Sequence, residues 1–323
     1  MNKFKTKKLI DNNFLYIILL LFCISLFVFI PQIAMQSFFQ GLRLWATKVL
    51  PALLPFFILV KLLSYTTFSQ TIGNFLSPIT YRFYRVGGIA GYIYIMSILS
   101  GYPVGAKLTA DFYKENYISK RQAHTISAFT STSGPLFVLG TVGIGLFTSQ
   151  KLGIIVLISH YISAILNGLL YKYKDKPINK LNFTQKTTNT LSESMTSSIA
   201  SILVVGGFIA IFYMILSLLL HIQAFKLPTY LFSLIGIPNE ITIAIISGII
   251  EVTTGATLLA KCAISFKLQA LIVSFLISFG GLSIHAQAYC FLKDINMPYS
   301  KFLLQKFTHA TLSLIITSII LYL

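Results

Sequence analysis

The chain has 323 residues, of which 55% are hydrophobic and 10% charged, and its 25 Lys and Arg against 8 Asp and Glu give a formal net charge of +17. Its mean hydropathy is +0.80. A soluble domain carries about 25% charged residues, so these figures exclude a soluble enzyme, a disordered chain and a nucleic-acid-binding domain, and they point to an all-α polytopic membrane protein. The apolar runs are continuous, not alternating, which argues against a membrane barrel.

Lys3, Lys5, Lys7 and Lys8 precede the apolar run Phe14 to Ile30, which Pro31 closes. No small-residue cleavage site follows, so residues 1–35 are predicted to be an uncleaved transmembrane anchor that starts in the cytoplasm. Further apolar segments lie at 42–65, 88–111, 122–148, 152–171, 197–220, 241–261, 268–292 and 305–322. The most basic loop, 172–186, sets Lys172, Lys174, Lys176, Lys180 and Lys186 against Asp175. It belongs in the cytoplasm, as does the stretch holding Arg82 and Arg85. Those placements conflict if every segment between them crosses. One segment must turn back, and 88–111 is the one predicted to do so, because Ser100-Gly101-Tyr102-Pro103-Val104-Gly105 interrupts it. Each arm is then ~15 Å of helix, about half a bilayer core. Non-helical backbone at that depth is tolerated only when it is buried in protein or lines a cavity.

An internal repeat appears at an offset of 150 residues, where Gly101 to Ala110 aligns with Glu251 to Ala260. A shift of three then pairs Ser127, Ser131 and Gly134 with Ser274, Ser278 and Gly281. Two halves are predicted, 36–171 and 191–323, joined by a basic cytoplasmic linker, 172–190. Each half would hold a span, a re-entrant hairpin, a broken span and a further span. Three crossings per half invert the second half, and with the anchor the total is about seven crossings and two hairpins. This arrangement puts Lys293, Lys301 and Lys306 on the cytoplasmic side. Inverted repeats with paired broken helices mark a transporter's substrate site.

Four constellations are candidates for that site. In the first, Ser100, Gly101, Tyr102 and Gly105 unwind a helix whose N-terminus favours an anion, and Lys107 follows about a turn later. A lysine at that depth is a functional candidate, against the plainer reading of a snorkelling side chain. The second is Thr130, Ser131, Thr132, Ser133 and Gly134 before Pro135, hydroxyls that bind a ligand or heal a kink. The third is Glu251 with Thr253, Thr254 and Gly255. The carboxylate serves there as a coupling-ion site, as a partner of Lys107, or as a cap on a broken helix. The fourth is Gly281, Ser283, His285 and Gln287, with His285 a candidate proton carrier or simply a hydrogen-bonded core histidine. Glu193 opens the span after the basic linker and reads as a helix-entry or gating residue. His124, His160, His221 and His309 lie near segment ends and are assigned no role. Cys23, Cys262 and Cys290 have no metal spacing and read as packing residues. There is no phosphate loop, H-E-x-x-H, zinc pattern or nucleophile elbow, so neither a cofactor nor enzymatic chemistry is expected.

Leu50-Pro51-Ala52-Leu53-Leu54-Pro55-Phe56-Phe57, Gly101-Tyr102-Pro103-Val104-Gly105-Ala106-Lys107, Ser133-Gly134-Pro135 and Gly280-Gly281-Leu282-Ser283-Ile284-His285 together resemble the sporulation integral membrane protein YlbJ family. That family belongs to the membrane proteins with nucleoside-recognition, or Gate, domains, and the resemblance spans roughly 35–320. It implies an endospore-forming bacterium and a location in the cell membrane or the mother-cell-derived outer forespore membrane. It also implies movement of dipicolinic acid, a pyridine dicarboxylate, into the developing spore. The Gate label covers a shared fold and does not establish nucleoside transport. Helix ends, hydroxyls and a buried lysine suit a planar anion better than a neutral nucleoside. The expected partners are thus a small anionic substrate, the lipid bilayer and other sporulation membrane proteins, with no nucleic acid. A nucleoside or ion-coupled transporter and a non-transporting scaffold are the alternatives.

Overall fold

A computed structural model describes residues 12–173 and 190–323. The N-terminal lysines and the linker cluster Lys174 to Lys186 lie outside the described residues. The chain is helical throughout the described part: α1 (Asn12–Phe29), α2 (Pro31–Leu44), a π turn (Trp45–Val49), α3 (Leu50–Ser64), α4 (Thr67–Tyr84), α5 (Ile89–Ser100), α6 (Val104–Lys114) and α7 (Lys120–Thr130). A π-helical segment (Leu136–Leu146), α8 (Gln150–Leu170), α9 (Thr190–His221), α10 (Lys226–Ser233), α11 (Asn239–Ile250), α12 (Val252–Lys261), α13 (Phe266–Phe279), α14 (Gly281–Leu292), a short 3-10 turn (Lys293–Ile295) and α15 (Tyr299–Tyr322) follow.

The polarity of these helices is inside out. Along α8, Ser159, His160, Ser163 and Asn167 are fully buried, whereas Ile154, Ile158, Ile162 and Ile165 face outward. A helix in water buries its apolar stripe. One in lipid can turn isoleucine outward and must pair its polar groups within the protein. The Asn167 amide does so by donating to the carbonyls of Ala128 at 2.7 Å and Gln305 at 3.0 Å. The protein is an integral membrane protein of the polytopic all-α class expected from the sequence.

Four single helical stretches among the described residues are long and apolar enough to cross a bilayer: Gln150–Leu170, Leu191–His221, Phe266–Ile295 and Tyr299–Tyr322. Two bent pairs, Leu20–Phe29 with Pro31–Val49 at 107° and Leu53–Ser64 with Thr67–Tyr84 at 80°, raise that number to at most six, if each pair is one span. The apolar stretch 42–65 is therefore not the straight span that hydropathy implies. Pro51 and Pro55 lack the N–H groups that would close the helix onto residues four back, and the ladder widens into the π turn at Trp45–Val49.

The interruption expected at 100–105 is present. Gly101 takes a φ of 78°, in the left-handed region glycine tolerates, and α5 ends there. The arms α5 and α6 have 12 and 11 residues. The matched interruption 150 positions later, at Glu251, separates α11 from α12, which lie so close that a Cβ on Gly255 would collide with the backbone of Gly248. A second kind of break follows each of these two interruptions. After α7 the chain leaves the helix over 131–134 before the π-helical segment. Gly280, at φ 90°, separates α13 from α14.

Lys306 is a correction to the sequence reading. It does not flank a span on the cytoplasmic side, because α15 begins at Tyr299, directly after Pro298, and not near 305. Lys306 consequently falls in the third turn of that helix and is 2% exposed.

Candidate functional site

The four breaks meet around one cavity of about 670 Å³. Its wall takes Ser100, Gly101 and Tyr102 from the first break and Ser133 and Gly134 from the second. Glu251 and Thr253 come from the third break, with Ser283 and Gln287 from the first turns of α14. Apolar side chains of the π-helical segment and of α3, among them Leu136, Phe137, Leu53 and Phe56, complete it. The first two breaks touch directly, since a Cβ on Gly101 would sit 2.6 Å from the Gly134 nitrogen.

Nine of the sequence-derived candidates thus share one wall, and the others sit behind or beyond it. Gly105 lets α6 cross α7, as a Cβ there would collide with the Thr130 carbonyl oxygen. That oxygen accepts from the Ser97 hydroxyl, and the Thr130 hydroxyl donates to Ile126 O at 3.0 Å. Gly281 packs against hairpin α11–α12, where an added Cβ would lie 2.9 Å from Gly248 O. Gly255 holds the same hairpin closed. His285 donates from Nε2 to Phe279 O at 2.8 Å, and its Nδ1 accepts from the Tyr299 hydroxyl at 3.2 Å. Glu193 accepts from the Tyr65 hydroxyl at 3.1 Å, at an exposed position away from the cavity.

Lys107 and Glu251 are not partners, which corrects one alternative raised from the sequence. Lys107 Nζ donates to Asp111 Oδ2 at 3.4 Å and to Ser197 Oγ at 3.0 Å. Asp111 also holds Lys61 at 3.1 Å, with Glu115 at 4.0 Å. The carboxylate of Glu251 instead caps α12. Its two oxygens accept from Thr253 N at 3.0 Å, Thr254 N at 2.7 Å and the Thr254 hydroxyl at 2.7 Å.

The polarity of the wall follows from which helix ends face it. Four helix N-termini converge on the cavity: α6 after Tyr102, the π-helical segment after Gly134, α12 after Glu251, and α14 at Ser283. Only α12 has a side-chain cap. No side chain caps α6, the π-helical segment or α14. Carbonyls at the second break and at Gly280 are already engaged by side chains. Ser133 O accepts from the Tyr161 hydroxyl at 3.1 Å, Ser131 O from Lys306 at 3.0 Å, and Phe279 O from His285. Unsatisfied N–H groups at a helix start carry about half a positive charge, so these helix starts favour an anion. Ser100 Oγ, on the wall, is buried with no hydrogen-bond partner. Among the described residues, Lys48, from the π turn, is the one cationic side chain on the wall, and Glu251 the one anionic side chain.

Sequence reasoning missed Lys48, Lys306, His160 and His309. Lys48 was visible as one of three cations, with Arg43 and Lys61, inside the apolar segment 42–65. His160 lies midway along α8, where a histidine in an apolar run is itself a signal.

Among known proteins, the chain is 31% identical to the sporulation integral membrane protein YlbJ of Bacillus subtilis (strain 168), over 91% of this chain and 79% of that protein. The chain belongs to the sporulation integral membrane protein YlbJ family. No family model matches it. A solved structure of doubly substituted CNTnw in an outward-facing state aligns with a TM-score of 0.46 and 16% identity, covering 85% of this chain and 76% of that one. Membership of the YlbJ family agrees with the resemblance carried by the Gly-Tyr-Pro and Ser-Gly-Pro stretches, of which Gly101, Tyr102, Ser133 and Gly134 lie on the cavity wall.

Proposed function

We propose that the protein is a secondary transporter for a small organic anion, that the anion is dipicolinate, and that it works by alternating access around two inverted, broken repeats. The observation that carries this reading is the convergence of three helix N-termini without side-chain caps on one cavity, with carbonyls at two of its breaks engaged by side chains. A pore wall of that polarity favours a carboxylate over a neutral nucleoside, which would call for side-chain amides. The volume of about 670 Å³ is ample for a single pyridine ring with two carboxylates. Lys48 supplies a further positive charge, and the buried hydroxyl of Ser100 offers an uncommitted donor. The relative's role as a sporulation membrane protein supports dipicolinate among candidate anions.

Uptake of labelled dipicolinate into liposomes holding the purified protein tests the reading, with uridine as competitor. Accumulation above empty liposomes that uridine does not reduce is expected. Uridine uptake without dipicolinate uptake would move the assignment to nucleosides, and no uptake of either would favour a scaffold.

A further inference from the structure

Lys306 has no carboxylate among its contacts. The ion pairs among the described residues include Lys61 with Asp111 and Glu115, Lys107 with Asp111, and Lys114 with Asp294. A buried ammonium without a counter-ion survives only if every one of its protons finds an acceptor. Lys306 meets that condition. Its Nζ donates to the Tyr102 hydroxyl of the first break, to Ser131 O just past the C-terminal end of α7 at 3.0 Å, and to His309 Nδ1 at 3.5 Å. The Tyr102 ring centre lies 4.6 Å from the same nitrogen, within cation–π range.

The surrounding imidazoles are arranged to receive a cation and not to be one. His309 Nε2 lies 3.0 Å from His160 O, a carbonyl that can only accept, so this nitrogen carries the proton and Nδ1 is left to accept from Lys306. His160 Nε2 accepts from Ser133 N–H at 2.8 Å, and its Nδ1 donates to Ser278 Oγ at 2.8 Å. His285, on α14, is committed in the same manner to Phe279 O and Tyr299. The groups around Lys306 on α15, α8, α14 and the first break are therefore three neutral histidines and a tyrosine.

In transporters with discontinuous helices, freed backbone carbonyls at the ends of half-helices coordinate the coupling cation. Here the freed carbonyl of Ser131 accepts from Lys306. We propose that Lys306 is a tethered cation: its amino group occupies the place between the first break and the end of α7 where a coupling cation would sit, so Na⁺ neither binds there nor drives transport. The transport half of this statement rests on the proposed function, whereas the binding half does not.

The test uses thermal melts of the purified full-length protein in NaCl and in choline chloride of equal ionic strength. The native chain is expected to melt at the same temperature in both. Lys306→Ala, which empties the site but leaves the Ser131 carbonyl, is expected to melt lower in choline and to recover several degrees in Na⁺. Lys306→Met, which fills the space with an apolar side chain, is expected not to respond to Na⁺. A Na⁺-specific stabilisation of the native chain overturns the proposal, and so does a folded Lys306→Ala protein indifferent to Na⁺. Should Lys306→Ala not fold, the native comparison decides alone. In liposomes, native uptake that is unchanged when an inward Na⁺ gradient replaces choline supports the proposal, and Na⁺-stimulated uptake overturns it. Absence of uptake under any condition removes the transporter reading and leaves the melting result standing.

Discussion

The ammonium of Lys306 sits 4.6 Å from the centre of the Tyr102 ring and donates to its hydroxyl, so a residue of the cavity wall is held from behind by a charge buried in α15. Tyr102→Phe keeps the ring and the wall but removes one of three acceptors from a buried ammonium. The expected loss is about 1–3 kcal/mol, the scale of leaving a buried polar group unsatisfied. Thermal melts should show it as a lowered Tm. Dipicolinate uptake by the protein that remains folded should persist, since the ring still closes the wall.

Gly105→Ala puts a methyl group into the Thr130 carbonyl oxygen, a backbone atom that cannot rotate away. Overpacking of this kind typically costs about 1–3 kcal/mol, and here it also forces α6 away from α7 beside the cavity. Gly207, in α9, has nothing within 4 Å of an added Cβ, and an alanine in a helix interior is favoured over glycine by roughly 0.5–1 kcal/mol. The pair is expected to move Tm in opposite directions. Equal effects would show that the α6–α7 crossing is not as close as Gly105 indicates.

The breaks were legible in the sequence because glycine and proline act locally: Gly101 needs a left-handed φ, and Pro135 lacks a donor. The interruption within 88–111 was legible from Gly101 and Pro103, which stand where α5 ends and α6 begins. Lys306 was not, for a reason of position. Near the start of an apolar run a lysine looks like a flanking charge, and only the actual start of α15 at Tyr299 carries it inward. Its acceptors come from residues 102, 131 and 309, and the first two are well over a hundred positions away in the chain. Asp111 was a different case. It lies four residues after Lys107, a helix-adjacent acid visible in the sequence, and it accounts for the lysine that otherwise looked free to meet a substrate.

Lys48 and Glu251 put opposite charges on the same wall, so neutralising each should move anion affinity in opposite directions. Lys48→Gln is expected to raise the KM for dipicolinate, and Glu251→Gln to lower it, each about threefold to tenfold, the ~1 kcal/mol scale of a partly screened charge. Glu251→Gln should also lower stability by about 1 kcal/mol, because a neutral amide caps the start of α12 less well than a carboxylate. Concentration-dependent uptake in liposomes measures both KM values. A KM that rises in both variants would mean that the cavity binds its substrate by shape and not by charge.

Lys107 separates the sequence reading from the structural one most sharply. If Lys107 neutralises a substrate carboxylate, Lys107→Met should raise KM strongly. Its position away from the cavity, paired with Asp111 and Ser197, leads to the opposite expectation: KM unchanged, with only a modest fall in Tm. Asp111→Asn should be the more damaging change, since it strips the carboxylate from two lysines, Lys61 at 3.1 Å and Lys107 at 3.4 Å. Breaking a fully buried pair costs about 3–5 kcal/mol. The side chain of Asp111 is 20% exposed and Glu115 remains 4.0 Å from Lys61, which brings the expected loss to about 2 kcal/mol. The double variant Lys107→Met with Asp111→Asn should lose less than the two single losses added together, because one of the two stranded ammonium groups is then gone. Strict additivity in the melts, or a raised KM in Lys107→Met alone, would return Lys107 to the substrate site.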